Sequence, residues 1–127
     1  MLRTSKSNND KSKTAVTYIR TSTIEQNRIS SARQLAHIKH TAKGHGVQIV
    51  ADFADHCVPP SQKIRPGFEM MLDYLSKNKA AYVYMVKLNR LSRKKDEAAL
   101  MVNAIEKTGA QLVLTEEDRA QLRAFDL

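Results

Sequence analysis

The stretch Ala81-Tyr82-Val83-Tyr84-Met85-Val86, followed at once by Lys87-Leu88-Asn89-Arg90-Leu91-Ser92-Arg93, decides how this chain folds. Six successive apolar or aromatic residues leave no polar side for a strand to show to water. Such a strand is buried on both faces, which is the habit of a parallel sheet covered by helices. The residues after it are the reverse in character. Residues 86–95 hold Lys87, Arg90, Arg93, Lys94 and Lys95 and no acid. A buried strand that ends in cations delivers charge to the edge of a sheet.

The neighbouring segments extend the pattern in both directions. Thr14 to Arg20 (TAVTYIR) is rich in β-formers and reads as a first strand. Ser30 and Ser31 are N-cap candidates for a helix to Lys43, with Ala32, Leu35, Ala36, Ile38 and Ala42 loosely at the helical period and Gly44 as the stop. Val47 to Phe53 reads as a second strand. Asp55 to Ile64 contains Pro59, Pro60 and Ser61 and reads as a loop. Pro66 suits the first position of a helix, and Phe68, Met71, Leu72 and Leu75 recur at the helical spacing of a core-facing stripe. Asp96 caps or begins a helix to Thr108, with Gly109 at its C′ position. Gln111 to Thr115 reads as a fourth strand. The order β-α-β-α-β-α-β predicts an α/β sandwich with a largely parallel sheet and right-handed crossovers.

The chain of 127 residues has the length of one domain. Hydrophobic residues make up 42%, enough for a core. The apolar run Ala80 to Val86 is far short of the ~20 residues of a membrane span, and no secretory h-region is visible. The one cysteine, Cys57, cannot close an internal disulfide, so a reducing intracellular setting is expected. Lys and Arg exceed Asp and Glu by 21 to 13, a net charge of +8 that favours a polyanionic partner, nucleic acid before a membrane surface. The excess is placed unevenly. Residues 1–13 carry Arg3, Lys6, Lys11 and Lys13 among Ser and Asn and read as a disordered basic arm. Residues 14–127 form the domain, and its last thirteen residues are net acidic.

Ligands of an open parallel sheet bind at the carboxyl ends of its strands. The first expected strand ends in Arg20-Thr21-Ser22-Thr23. The second is followed by Asp55 and, across the loop, Arg65. The third is followed by the Lys87 to Arg93 run. Arginines and serines brought to one edge suit phosphoryl transfer: a serine hydroxyl needs activation, and guanidinium groups grip and neutralise the phosphate oxygens. Plainer readings stand beside this one. Thr21-Ser22-Thr23 also reads as a turn or cap, Arg65 as a surface residue, and Arg90 to Lys95 as a solvated basic face. His37 and His40 are three apart, but no carboxylate or cysteine joins them at ligand spacing, so no metal is expected.

These residues resemble the catalytic domain of the serine site-specific recombinases, the resolvase/invertase family, over about Ala15 to Thr115. The Tyr-x-Arg-x-Ser-Thr-x-x-Gln motif is Tyr18, Arg20, Ser22, Thr23 and Gln26. The Asp-loop-Arg-Pro-Gly-Phe motif is Asp55 with Arg65-Pro66-Gly67-Phe68. The Leu-Asp-Arg-Leu-x-Arg motif is Leu88-Asn89-Arg90-Leu91-Ser92-Arg93. The resemblance implies a three-layer sandwich, a mostly parallel sheet of four to five strands with helices on both faces. It implies site-specific recombination, in which Ser22 attacks a DNA phosphodiester and holds a 5′-phosphoserine. Arg20, Arg65, Arg90 and Arg93 then stabilise the transition state, Tyr18, Gln26, Gln34, Asp55 and Asn89 order the site, and Lys87, Lys94 and Lys95 touch the DNA backbone. The implied partners are double-stranded DNA and further copies of the chain in dimers and tetramers, with no metal, cofactor, membrane or small-molecule substrate. A cytoplasmic protein of a bacterium, plasmid, phage or transposon is the implied setting.

The sequence departs from the family pattern in places. Asn89 stands where the family has Asp, and Val58-Pro59-Pro60 stands where it has Ser-Gly. The interval from Gln26 to Gln34 is longer than in compact resolvases. Only about a dozen residues follow the fourth strand, too few for the long dimerisation helix and DNA-binding domain of the family. Asn89 and that short end motivate an alternative, a non-catalytic DNA-binding or regulatory relative. A receiver-like phosphate-binding domain is a third possibility, but the paired acids such domains use for magnesium are missing from the end of the first strand.

Overall fold

The computed structural model describes residues 13–21, 24–56, 65–92 and 94–116, with the backbone alone for 24–30. Strand β1 (Thr14–Arg20) is followed by helix α1 (Ile24–Gly44), β2 (Gln48–Asp55), α2 (Pro66–Asn78), β3 (Tyr82–Met85), α3 (Lys95–Lys107) and β4 (Gln111–Leu114), with a single 3-10 turn, Leu88–Arg90, between β3 and α3. The four strands are parallel in the order β2-β1-β3-β4. The fold is the expected α/β sandwich. The N-terminal arm expected over 1–13 lies outside the described residues except for Lys13.

Strand order follows from the connections. The chain steps outward from β1 to β2, passes back over β1 to β3, and continues to β4. Right-handed crossovers therefore place α1 on one face and α2 and α3 on the other. The two cores match this. Val16, Tyr18, Val83 and Met85 pack with Phe68, Met71 and Leu75 of α2 and Ala98, Val102 and Ile105 of α3. Ala15, Ile19, Tyr84 and Val86 pack with Ile38 and Ala42 of α1. Strand β3 sends alternate side chains into both cores, as its two-sided apolar sequence requires. Burial of each large side chain here contributes about 1.5–3 kcal/mol.

Several boundaries differ from the sequence reading, β2 among them, which runs Gln48–Asp55 rather than Val47 to Phe53 and so takes Asp55 into the strand. Helix α1 begins at Ile24, not at the Ser30-Ser31 pair, so those serines lie within it. The stop of α1 is Gly46 rather than Gly44. Gly46 has a positive φ of 73°, and the Val47 amide bonds back to the Ala42 carbonyl at 2.9 Å while the Gly46 amide bonds to Lys43 at 3.0 Å. That pair of bonds needs its left-handed residue at position 46. Helix α3 begins at Lys95, and Asp96 sits in its first turn rather than capping it. The N-cap position is Lys94, with no side-chain cap; just ahead of it the Ser92 hydroxyl accepts from the Lys94 amide at 3.1 Å and donates to Glu97 at 3.1 Å.

Gly67 sets how closely α2 approaches β2. A Cβ at this position would fall inside the carbonyl of Ala54 and crowd the Asp55 side chain. Gly67→Ala is therefore expected to destabilise the fold by about 1–3 kcal/mol through overpacking, although alanine is the better helix former by about 1 kcal/mol. Urea unfolding checks this, and an unchanged or higher midpoint would contradict the close approach.

Candidate active site

The direction of chain progression reverses between β1 and β3, so their carboxyl ends flank the switch-point crevice where open α/β sheets bind ligands. Strand register sets what stands there. Arg20, the last residue of β1, pairs with Asp55, the last of β2. The Thr21 amide prolongs that pairing to the Asp55 carbonyl at 3.1 Å. The 3-10 turn after β3 brings Asn89 and Arg90 to the other side of Arg20.

Asp55 is the brace of the site. It is 5% exposed. Its carboxylate accepts from the Tyr18 hydroxyl at 2.7 Å and from the amides of Gly67 at 2.7 Å and Phe68 at 3.0 Å. Pro66 has no N–H, and Arg65 ahead of it has no acceptor to offer, so α2 takes its cap from the end of the preceding strand. An anion at a helix N-terminus also meets the positive end of the helix dipole. With both oxygens engaged, Asp55 orders the edge rather than serving as a proton acceptor.

Burial raises the pKa of Tyr18 above its ordinary value of 10.0, and the hydrogen bond and charge of Asp55 raise it further, against an opposing pull from Arg65. The folded state thus favours the neutral phenol. Stability from this group is complete below about pH 10 and is lost as pH rises, because the unfolded tyrosine ionises first. Tyr18→Phe is expected to flatten the alkaline fall in stability by up to one proton's worth of slope. Denaturation at pH 8 and pH 11 tests this, and parallel pH curves for the two proteins would contradict it.

Two of the four arginines lie beneath the surface. Arg20 is 2% and Arg65 is 3% exposed. Arg65 Nη1 donates to the Arg90 carbonyl at 3.0 Å, and Arg20 Nη2 donates to the Asn89 carbonyl at 3.4 Å. The guanidinium groups from β1 and from the start of α2 therefore hold the turn that carries Asn89 and Arg90. Arg90 is half-buried and Asn89 is exposed. Gln34 of α1 is buried and donates to the Arg20 carbonyl at 3.5 Å, which sets it beside the end of β1. Ser22, Arg93 and the side chain of Gln26 lie outside the described residues.

The three lysines are exposed. Lys87 Nζ is 3.9 Å from Glu116, an exposed pair of little energetic weight. Lys94 and Lys95 stand at the start of α3, where the helix dipole disfavours cations. Asp96 and Glu97 in the same first turn offset them. The sequence alone gives no role to Thr21 and marks His56 only as one of four histidines. Thr21 is 2% exposed, and its Oγ1 lies 3.4 Å from Nδ1 of His56 at the same edge. The parallel pairing of β1 with β2 is what brings these two together, and no local sequence signal marks it. Among the described residues no three His, Cys, Asp or Glu side chains group as metal ligands, and no described helix is long and apolar enough to cross a membrane.

Comparison with known proteins gives the family and the fold. Residues 15–125 match the family described as Resolvase, N terminal domain. No curated protein matches the chain. Among solved structures, the C-terminal catalytic domain of ISC1926 TnpA, an IS607-like serine recombinase, superposes with a TM-score of 0.74 at 17% identity, covering 87% of this chain and 76% of that one. The N-terminal catalytic domain of TP901-1 integrase gives 0.70 at 23%, covering 81% and 77%. A resolvase family site-specific recombinase from Streptococcus pneumoniae gives 0.71 at 20%, covering 89% and 83%. At these identities the likeness establishes the fold.

Proposed function

Since the chain belongs to the resolvase N-terminal domain family, a family of recombination proteins, we propose that its carboxyl edge cuts and rejoins DNA through Ser22. The observation that carries this reading is the convergence at the switch point. Arg20, one residue from Thr21 and two from Ser22 in the chain, and Arg65 both donate to the Asn89–Arg90 turn, while Asp55 accepts from the Gly67 amide two residues past Arg65.

In the proposed reaction the Ser22 hydroxyl attacks the phosphorus of a DNA phosphodiester. The bond from phosphorus to the 3′ oxygen breaks. The 5′ end is left as a phosphoserine, the serine proton is released, and the departing 3′ oxygen takes up a proton. Reversal with another 3′-OH rejoins strands, with no oxidant, reductant or nucleotide required. Arg20, Arg65, Arg90 and Arg93 stabilise the charge that spreads over the phosphoryl oxygens. Arg20 and Arg65 donate to the carbonyls of residues 89 and 90 in the free protein, so a bound phosphate competes with those carbonyls for the guanidinium groups. Tyr18, Asp55, Gln26 and Gln34 hold the arginines in place, and Lys87, Lys94 and Lys95 meet flanking phosphates. The full assembly is two duplexes held by a tetramer built from dimers.

Asn89 favours one second reading, a non-catalytic DNA-binding relative, since an amide cannot accept a proton as a carboxylate does. A duplex nicked so that cleavage releases the 3′-ended fragment traps any covalent adduct. The proposal expects an adduct with the chain or with its Asn89→Asp variant. No adduct in either, with DNA binding intact, would favour the second reading.

A further inference from the structure

We propose that the outer face of α1, with the outer edge of β2, the last strand in the described order, beside it, binds the phosphate backbone of a second DNA duplex, separate from the one at the carboxyl edge. This deepens the recombinase reading and rests on it. From Gln26 to Ala51 the sequence has Arg28, Arg33, Lys39 and Lys43 and no Asp or Glu. In the structure Arg33, Lys39, His40 and Lys43 are exposed along α1, beside the small, exposed Ala32 and Ala36. Lys39 and Lys43 form one wall of a groove of about 560 Å³ whose other wall is residues 46–52, at the edge of the sheet where β2 ends the strand order. Two acids reach α1 among the described residues: Glu116, 4.0 Å from His37, and Asp52, 3.8 Å from Lys39, with all four side chains roughly half exposed. A solvated pair of that kind is weak enough for the lysine to turn to a phosphate.

Position separates this surface from the candidate active site. Helix α1 starts at the carboxyl edge and runs away from it. Arg33, Lys39 and Lys43 lie about 14, 22 and 28 Å from Ile24 along the helix axis at about 1.5 Å per residue. DNA resists sharp bending, with a persistence length of about 150 base pairs. A duplex seated across the carboxyl edge therefore does not also descend the outer face of α1, and the basic groove is left for another duplex. Strand exchange requires two duplexes to be held together, and a monomer with two polyanion surfaces facing different directions can contribute to that from each side.

The test is a bridging assay with the full chain. One duplex is fixed to beads, and capture of a second, fluorescent duplex is read at several salt concentrations, beside ordinary one-duplex affinity. Arg33→Gln, Lys39→Gln and Lys43→Gln are combined, because glutamine keeps the helix. The triple variant is expected to lose capture by more than about tenfold, with a salt slope shallower by about 3. Its one-duplex affinity should stay within about threefold, and its oligomeric state by sedimentation should be unchanged. Bridging equal to the parent protein would overturn the proposal, and so would a loss of capture that tracks a loss of self-association. If the parent protein binds no duplex at all, the recombinase reading itself fails, which the one-duplex arm shows separately.

Discussion

Asp55→Ala is expected to lower stability by about 3–5 kcal/mol, the largest effect of any single substitution at the site. The carboxylate is buried and accepts three hydrogen bonds, one from Tyr18 and two from the first turn of α2. Bonds to a charged acceptor are worth about 1.5–3 kcal/mol each, and bonds sharing one group do not add in full. Alanine leaves a buried hydroxyl and two amides without their acceptor and removes the anion from the end of the helix dipole. For a domain of this size the loss corresponds to a fall in Tm on the order of 10–20 °C. Asp55→Asn keeps the shape but gives up the charge, and about half the loss is expected. Thermal and urea unfolding of both variants decide the point. A change under about 1 kcal/mol for Asp55→Ala would mean that α2 is not held from β2.

The second large effect is chemical. Ser22→Ala is expected to abolish covalent attachment to DNA, a loss on the order of a millionfold, as removal of a serine nucleophile brings. DNA binding should survive, because affinity for phosphates comes from the lysines and arginines. The split between lost cleavage and kept binding separates a nucleophile from a structural residue. Equal loss of both would mean that residue 22 shapes the edge rather than reacting there.

Much of the fold is written locally in the chain. β1 is bounded as TAVTYIR predicts, and the Phe68-Met71-Leu72-Leu75 stripe with Pro66 marks α2. The two-sided apolar run of β3 announces a central parallel strand. The start of α1 is not legible, because residues 24–30 (IEQNRIS) are mostly polar and carry little helical period, while Thr21-Ser22-Thr23 and Ser30-Ser31 both offer cap residues. Gly44 and Gly46 both suit a helix end, and only the closing bonds from Gly46 and Val47 choose between them.

The site is legible in its membership and not in its wiring. Arg20, Asp55, Arg65 and Arg90 can each be placed at strand ends from the element order alone. That Asp55 caps a helix eleven residues further on depends on register and on the glycine that lets α2 approach. That Arg20 and Arg65 are buried and hold the turn after β3 depends on packing between elements distant in sequence. No spacing rule reports either. Sequence motifs name the groups, and tertiary contacts decide which are braces and which face the substrate.

The most direct measurement is the identity of the residue that carries DNA. The covalent product trapped on a nicked duplex, from the chain or its Asn89→Asp variant, is digested with trypsin and nuclease and mapped by mass spectrometry. Attack by Ser22 predicts a 5′-phosphoryl nucleotide on the peptide of residues 21–28 (TSTIEQNR), with fragmentation placing it on Ser22 and not on Thr21 or Thr23. A nucleotide on any other residue, or one attached through its 3′ end, would contradict it.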